Sequence, residues 1–81
     1  MIKVTFYSLF RSNYNIEEEL VKPGSINDII KQIIDKYPQI KASAFRYSVV
    51  FHKGKPITFH RFDTRIEEGE EIFFTQFVGG G

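Results

Sequence analysis

The residues best suited to chemistry are the last three, Gly79, Gly80 and Gly81, which follow Val78. Glycine has no side chain to bury and loses the most backbone freedom when ordered, so a run of three contributes little to packing. Such an arm is narrow and extendable, and it could thread a terminal carboxylate into the active-site channel of another protein. A carboxylate becomes reactive once its oxygen is a good leaving group, as in an acyl-adenylate made from ATP. A sulfur nucleophile can then displace AMP and leave a thiocarboxylate. The chain holds no phosphate-binding loop of its own, so this chemistry implies a separate activating enzyme. By composition alone, the same three residues read equally well as a frayed end without a role.

Positioning such an arm requires a folded body. The 81 residues suffice for one small domain, taken as 1–78 with a glycine tail at 79–81. Apolar residues make up 42%, and nine Phe and four Tyr supply core volume. Eleven basic and ten acidic residues leave a net charge of +1, too balanced to favour nucleic acid or an anionic membrane. No cysteine is present, which excludes disulfides, thiolate metal sites and a cysteine nucleophile and fits a reducing compartment. No apolar run approaches the roughly 18 residues of a membrane span, and no signal segment follows Met1, so a cytoplasmic location is expected.

Residues 2–10 alternate as a strand, with Ile2, Val4 and Phe6 on one face and Lys3, Thr5, Tyr7 and Leu9 on the other. Asn13-Tyr14-Asn15 reads as a turn and 16–21 as a return strand, completing a hairpin. The acidic run Glu17-Glu18-Glu19 suits a solvated edge. Ser25 and Asp28 form a capping-box pattern. After it Ile26, Ile29, Ile30, Ile33, Ile34 and Tyr37 recur at helical spacing until Pro38. A loop with a short helical turn fits 39–45, followed by a strand over 46–52 and a turn at Lys53-Gly54-Lys55-Pro56. A return strand is expected from Ile57 to Phe59, a charged turn at Glu68-Gly69-Glu70-Glu71, and a last strand over 72–77. The order is that of an α+β protein, a β-grasp (ubiquitin-like) fold. Its mixed sheet of four to five strands would be covered on one face by one main helix.

If the helix covers Ile2, Val4, Phe6, Ile72 and Phe74, then Tyr7, Leu9, Phe73 and Phe77 gather on the other face beside the tail. An uncovered patch of that kind is a docking surface. Thr75 lies on the same face of the last strand. Val78 and Gly79 continue from it toward the end of the chain.

Other candidates carry less. His52, Lys53, Lys55, His60, Arg61 and Arg65 make a basic cluster that reads as a solvated hairpin rim. His52 and His60 lack the carboxylate or thiol support that a metal needs, so no metal is expected.

The opening Met1-Ile2-Lys3-Val4 through Phe6, with Leu9 and Arg11, resembles that of MoaD, the small subunit of molybdopterin synthase. The stretch Phe62-Asp63-Thr64-Arg65-Ile66-Glu67-Glu68-Gly69-Glu70-Glu71-Ile72 resembles the family's Asp-x-x-Leu-x-x-Gly-Asp-Glu-Val segment. The Gly-Gly end is shared with MoaD and ThiS sulfur carriers. The resemblance implies that Gly81 is adenylated and converted to the thiocarboxylate, with Gly80 its motif partner and Gly79 in a small-residue slot. It makes Glu70-Glu71 a turn feature rather than an acid–base pair. Partner enzymes of the family grip the open sheet face, which would assign contact roles to Tyr7, Leu9, Phe73 and Thr75. Phe77, Val78 and Gly79 would extend that contact.

The resemblance also implies partners. These are an activating enzyme of the MoeB/ThiF type that uses the ATP, a sulfur donor such as a cysteine desulfurase, and a larger MoaE-type synthase subunit or a thiazole synthase. The chain itself would bind no cofactor and would not be an enzyme alone. Gln76-Phe77 stands where MoaD proteins commonly carry Pro-Pro, and a Gln there looks more like ThiS. Molybdenum or tungsten cofactor synthesis is the first expectation and thiamine thiazole synthesis the alternative, with a ubiquitin-like modifier and a binding-only module as readings of other classes.

Overall fold

The computed structural model describes residues 1–76. The first strand, β1, spans Ile2–Phe6 with alternating burial. Its inward side chains Ile2, Val4 and Phe6 are fully buried. The strand stops at Phe6, four residues earlier than the sequence pattern suggests, and a short helix α1 (Leu9–Tyr14) follows. Ser8 makes the bend, with φ 55° and ψ −131°. Core demand accounts for the difference. The bend turns Phe10 inward to complete burial among the rings of Phe6, Phe45 and Phe74, at centroid distances of 5.6, 5.1 and 6.1 Å. Asn15 closes α1 in the left-handed region, φ 54°, a conformation Asn tolerates better than most residues.

Strand β2 (Glu18–Val21) returns antiparallel to β1, with Ile2 opposite Val21 and Val4 opposite Glu19. A two-residue strand β3 (Gly24–Ser25) leads into the main helix α2 (Ile26–Lys36). The capping box forms as its residue types indicate. The Asp28 N–H donates to Ser25 Oγ at 3.1 Å, and the Ser25 N–H donates to Asp28 Oδ2 at 3.2 Å. Ile26, Ile29, Ile30 and Ile33 form the buried stripe. Helix α3 (Ala42–Arg46) buries Ala44 and Phe45 and precedes β4 (Ser48–His52).

Lys53 and Gly54, both left-handed at φ 54° and 76°, make a two-residue turn into β5 (Lys55–Ile57). The return strand expected at Ile57–Phe59 thus ends at Ile57, and Phe59–Arg61 is a 3₁₀ turn. β6 (Arg65–Ile66) pairs with β3 as a separate ribbon. β7 (Glu71–Gln76) is the last described element.

The main sheet has five strands in the order β2-β1-β7-β4-β5. β1 and β7 are parallel neighbours at its centre, with Val4 opposite Ile72 and Phe6 opposite Phe74. Parallel pairing needs a crossover, and the connection that includes α2 lies across one face. Ile2, Val4, Phe6, Val50, Ile72 and Phe74 meet the isoleucines of α2 there in one core. A mixed sheet with central first and last strands under a single main helix is the β-grasp arrangement.

Edge strand β2 is tied to the helix by a charge pointing inward. Glu19 shares its sheet face with Val4, and its side chain is only 10% exposed. It accepts hydrogen bonds from Lys36 Nζ at 2.8 Å and from the Tyr37 hydroxyl. Burial alone would raise the carboxyl pKa, but the bonds from Lys36 and Tyr37 outweigh it and hold the group below its usual range. Glu19 is therefore a half-buried anchor rather than a solvated edge charge. Glu17 and Glu18 stay exposed and pair with Arg11 at 2.6 Å and Lys3 at 3.8 Å.

Candidate functional site

The sheet face away from α2 is set by the same alternation that fills the core. With Ile72 and Phe74 turned inward, Phe73 and Thr75 of β7 face outward. Register then places Phe51 of β4 opposite Phe73. Tyr7, just past the end of β1, lies over Phe73 with ring centroids 5.9 Å apart. Its N–H donates to the Phe74 carbonyl at 2.9 Å, which extends the β1–β7 pairing by one residue. Tyr7, Phe51, Phe73 and Thr75 line a shallow apolar depression of about 350 Å³. Tyr7 is 43% and Phe51 37% exposed, high for aromatic residues on a sheet. The hydroxyls of Ser8 and Thr75 lie 3.2 Å apart at its margin.

Of the candidate contact residues, the fold brings Tyr7, Phe73 and Thr75 together on this face. Leu9 is the first residue of α1, past the bend at Ser8, rather than a residue of β1. Phe51 was missed. The signal was in the sequence, since alternation through Ser48–His52 sets Phe51 opposite in orientation to Val50, but its partner strand could not be read there. Phe77, Val78, Gly79, Gly80 and Gly81 lie outside the described residues. The chain reaches Gln76 alongside Ser48, so these residues continue from the end of β7 that borders the aromatic depression.

The basic cluster is divided by the fold. Glu70 accepts from the Glu67 N–H at 2.7 Å and lies 3.0 Å from Lys53 Nζ and 3.1 Å from His52 Nε2. The Glu67 backbone bond, then Lys53, then His52 lower its pKa to about 2. Arg65 pairs with Glu67 at 2.8 Å, and His60 packs edge-on against Phe59. Lys53, Lys55, His60, Arg61 and Arg65 are exposed, in keeping with a solvated hairpin rim, and His52 is half-buried. His52, Lys53, Lys55 and Arg61 line a cleft between the β4–β5 hairpin and the segment that follows it. Among the described residues, no group of three His, Cys, Asp or Glu side chains could hold a metal ion. Nor, among them, is any helix long and apolar enough to cross a membrane.

Neither a family model nor a curated protein matches the chain. Solved structures do. The solution structure of small archaeal modifier protein 1 from Methanosarcina acetivorans matches at TM-score 0.78 and 20% identity, over 99% of this chain and 95% of that one. The crystal structure of small archaeal modifier protein 1 from Haloferax volcanii matches at 0.74 and 11% identity, over 99% and 98%. A candidate molybdopterin converting factor subunit 1 from Pyrococcus furiosus matches at 0.70 and 20% identity, over 95% and 97%. At these identities the likeness establishes the shared β-grasp fold along nearly the whole length of each chain.

Proposed function

We propose that this chain is a sulfur carrier whose C-terminal Gly81 is adenylated and converted to a thiocarboxylate. The observation that carries the reading is one of placement. β7 forms the floor of an exposed aromatic face, and the strand runs on in sequence to Gly79-Gly80-Gly81. A partner that grips Tyr7, Phe51 and Phe73 thereby receives the arm at a fixed origin. The rest of the arm needs only reach.

In the proposed cycle the Gly81 carboxylate attacks the α-phosphate of ATP in a MoeB/ThiF-type enzyme, and pyrophosphate leaves. The terminal sulfur of a donor persulfide, such as that of a cysteine desulfurase, then displaces AMP at the acyl carbon. A partner thiol cleaves the resulting acyl disulfide, releasing the thiocarboxylate and leaving a disulfide on the partner. The thiocarboxylate inserts into a larger synthase subunit and delivers sulfur to a small-molecule precursor. Molybdopterin synthesis with a MoaE-type subunit is the preferred destination, in keeping with the fold shared with the Pyrococcus furiosus protein. Thiazole formation for thiamine is the alternative. The body, residues 1–78, supplies docking, the tail supplies the reactive group, and catalysis belongs to the partners.

A second reading, a protein modifier whose activated tail acylates a lysine, draws support from the likeness to the Methanosarcina acetivorans modifier protein. One measurement addresses both readings: the intact mass of the protein isolated from its native host. A terminus heavier by the difference between sulfur and oxygen supports the carrier. Isopeptide-linked conjugates support the modifier. Only unmodified carboxylate in cells actively making the cofactor would overturn the carrier role, as would full cellular function after deletion of Gly80 and Gly81.

A further inference from the structure

A second feature stands apart from the aromatic face and owes nothing to the tail. His52 lies opposite the inward-facing Ile72, and Lys55 opposite His52, so both project on the α2 side of the sheet. They do so at the end of β7 remote from Gln76, roughly 13 Å along the strand at about 3.3 Å per residue. Together with Lys53, Thr58, Arg61 and Thr64 they border a cleft of about 400 Å³, in the size range of small-ligand sites. Pro56 and Ile57 add an apolar lining.

The wall that carries Arg61 is held in place before any ligand arrives. The Arg61 N–H donates to the Thr58 carbonyl at 2.9 Å. The Arg61 carbonyl accepts from the Thr64 N–H at 3.0 Å and from the Thr64 hydroxyl at 2.6 Å. Phe62 is buried beneath the turn, and its carbonyl accepts from the Asn27 N–H of α2 at 2.9 Å. On the hairpin that lines the cleft, Lys55 follows a two-residue turn in a fixed register.

The charge is unbalanced. Lys53, Lys55 and Arg61 bring three fixed positive charges, and Glu70, held against Lys53 and His52, brings one negative charge. The balance is two positive charges with His52 neutral. Among the described residues, neither Lys55 nor Arg61 pairs with a carboxylate. Two unmatched cations lining one cleft, with Thr58 also in its lining, suit a doubly charged tetrahedral oxyanion better than a single carboxylate.

We propose that this cleft binds the phosphate group of a small phosphorylated molecule. Lys55 and Arg61 hold the oxyanion, and the Pro56–Ile57 lining receives the apolar part of the ligand. The site is independent of the carrier reading, since it needs neither Gly81 nor the aromatic face.

The test is a ¹⁵N-correlation titration of the full chain with inorganic phosphate and with glycerophosphate, against potassium chloride at matched ionic strength. The expected result is saturable shifts confined to the amides of the hairpin and of residues 58–64. In Arg61→Glu and Lys55→Glu these shifts weaken at least about tenfold, the loss expected for a charge-assisted hydrogen bond. Both residues are exposed, so retained spectral dispersion elsewhere shows that the variants are folded. Shifts that match the chloride control, or that survive both substitutions, overturn the proposal. So does tighter binding of a phosphoserine peptide or a glutamate-rich peptide than of glycerophosphate, because either would assign the cleft to a protein partner.

Discussion

On the proposed carrier reading, truncating the two exposed rings of the aromatic face should weaken engagement by an activating enzyme without affecting chemistry at the tail. Tyr7 and Phe51 are 43% and 37% exposed in the free chain. An aromatic side chain presents on the order of 200 Å². About 75–90 Å² of each ring is then left for a partner to cover. At about 25 cal/mol per Å², each ring contributes ~2 kcal/mol to docking, or about thirtyfold in affinity.

Tyr7→Ala and Phe51→Ala should therefore each raise the KM for the carrier about thirtyfold in ATP–pyrophosphate exchange with the host's activating enzyme. The kcat should be nearly unchanged, because the reacting carboxylate is on the tail. Tyr7→Phe, which keeps the ring, should behave like the parent. Each ring also contacts its neighbours, so thermal melts must show that every variant is folded at the assay temperature. An unchanged KM in folded Tyr7→Ala and Phe51→Ala would refute the assignment of this face. A fall in kcat at constant KM would refute the separation of docking from chemistry.

Three further outcomes test the fold around the site. Phe74→Ala removes a fully buried ring that stacks on Phe6 at 5.5 Å and meets Phe45 edge-on at 5.4 Å. It should cost about 3–5 kcal/mol in chemical denaturation, a large share of the total stability of a domain this small. Ser25→Ala deletes the acceptor for the Asp28 N–H and should cost about 1 kcal/mol, read as a lowered denaturation midpoint with unchanged slope. Glu70, with its pKa lowered from 4.5 to about 2, stabilises the fold fully above its unfolded pKa. That stabilisation is lost as pH falls from about 4.5 through about 2. Glu70→Gln should be less stable than the parent at neutral pH, and the gap should close across that acid window. A constant gap from pH 7 to pH 2 would remove Glu70 from the acid response.

The main helix was legible because a single sequence stretch carries all its determinants. The Ser25 cap, the isoleucine period and the stop at Pro38 are local, and helical hydrogen bonds close within four residues. The two faces of β1 and β7 were legible for the same reason, since alternation is a property of one strand. The end of β1 was not. Whether residue 7 continues a strand or bends depends on what Phe10 gains by reaching Phe45 and Phe74, which are far away in sequence. Glu19 was misjudged for a similar reason, as its environment is made by Lys36 and Tyr37 across the helix.

The run Gly79-Gly80-Gly81 is a property of the sequence alone. Which rings stand together on the open face of β7 was decided by the tertiary structure. Phe51 joins Tyr7 and Phe73 only because β4 pairs antiparallel with β7 in one register. A shift of one residue would have turned Phe51 inward and Val50 outward. The cleft around Lys55 and Arg61 has the same origin. Its lining is spread over 52–64 in the chain and is assembled because Phe62 is buried and the segment around it is bonded to α2. Local periodicity assigns each residue a face, but the pairing of distant strands determines which residues share it.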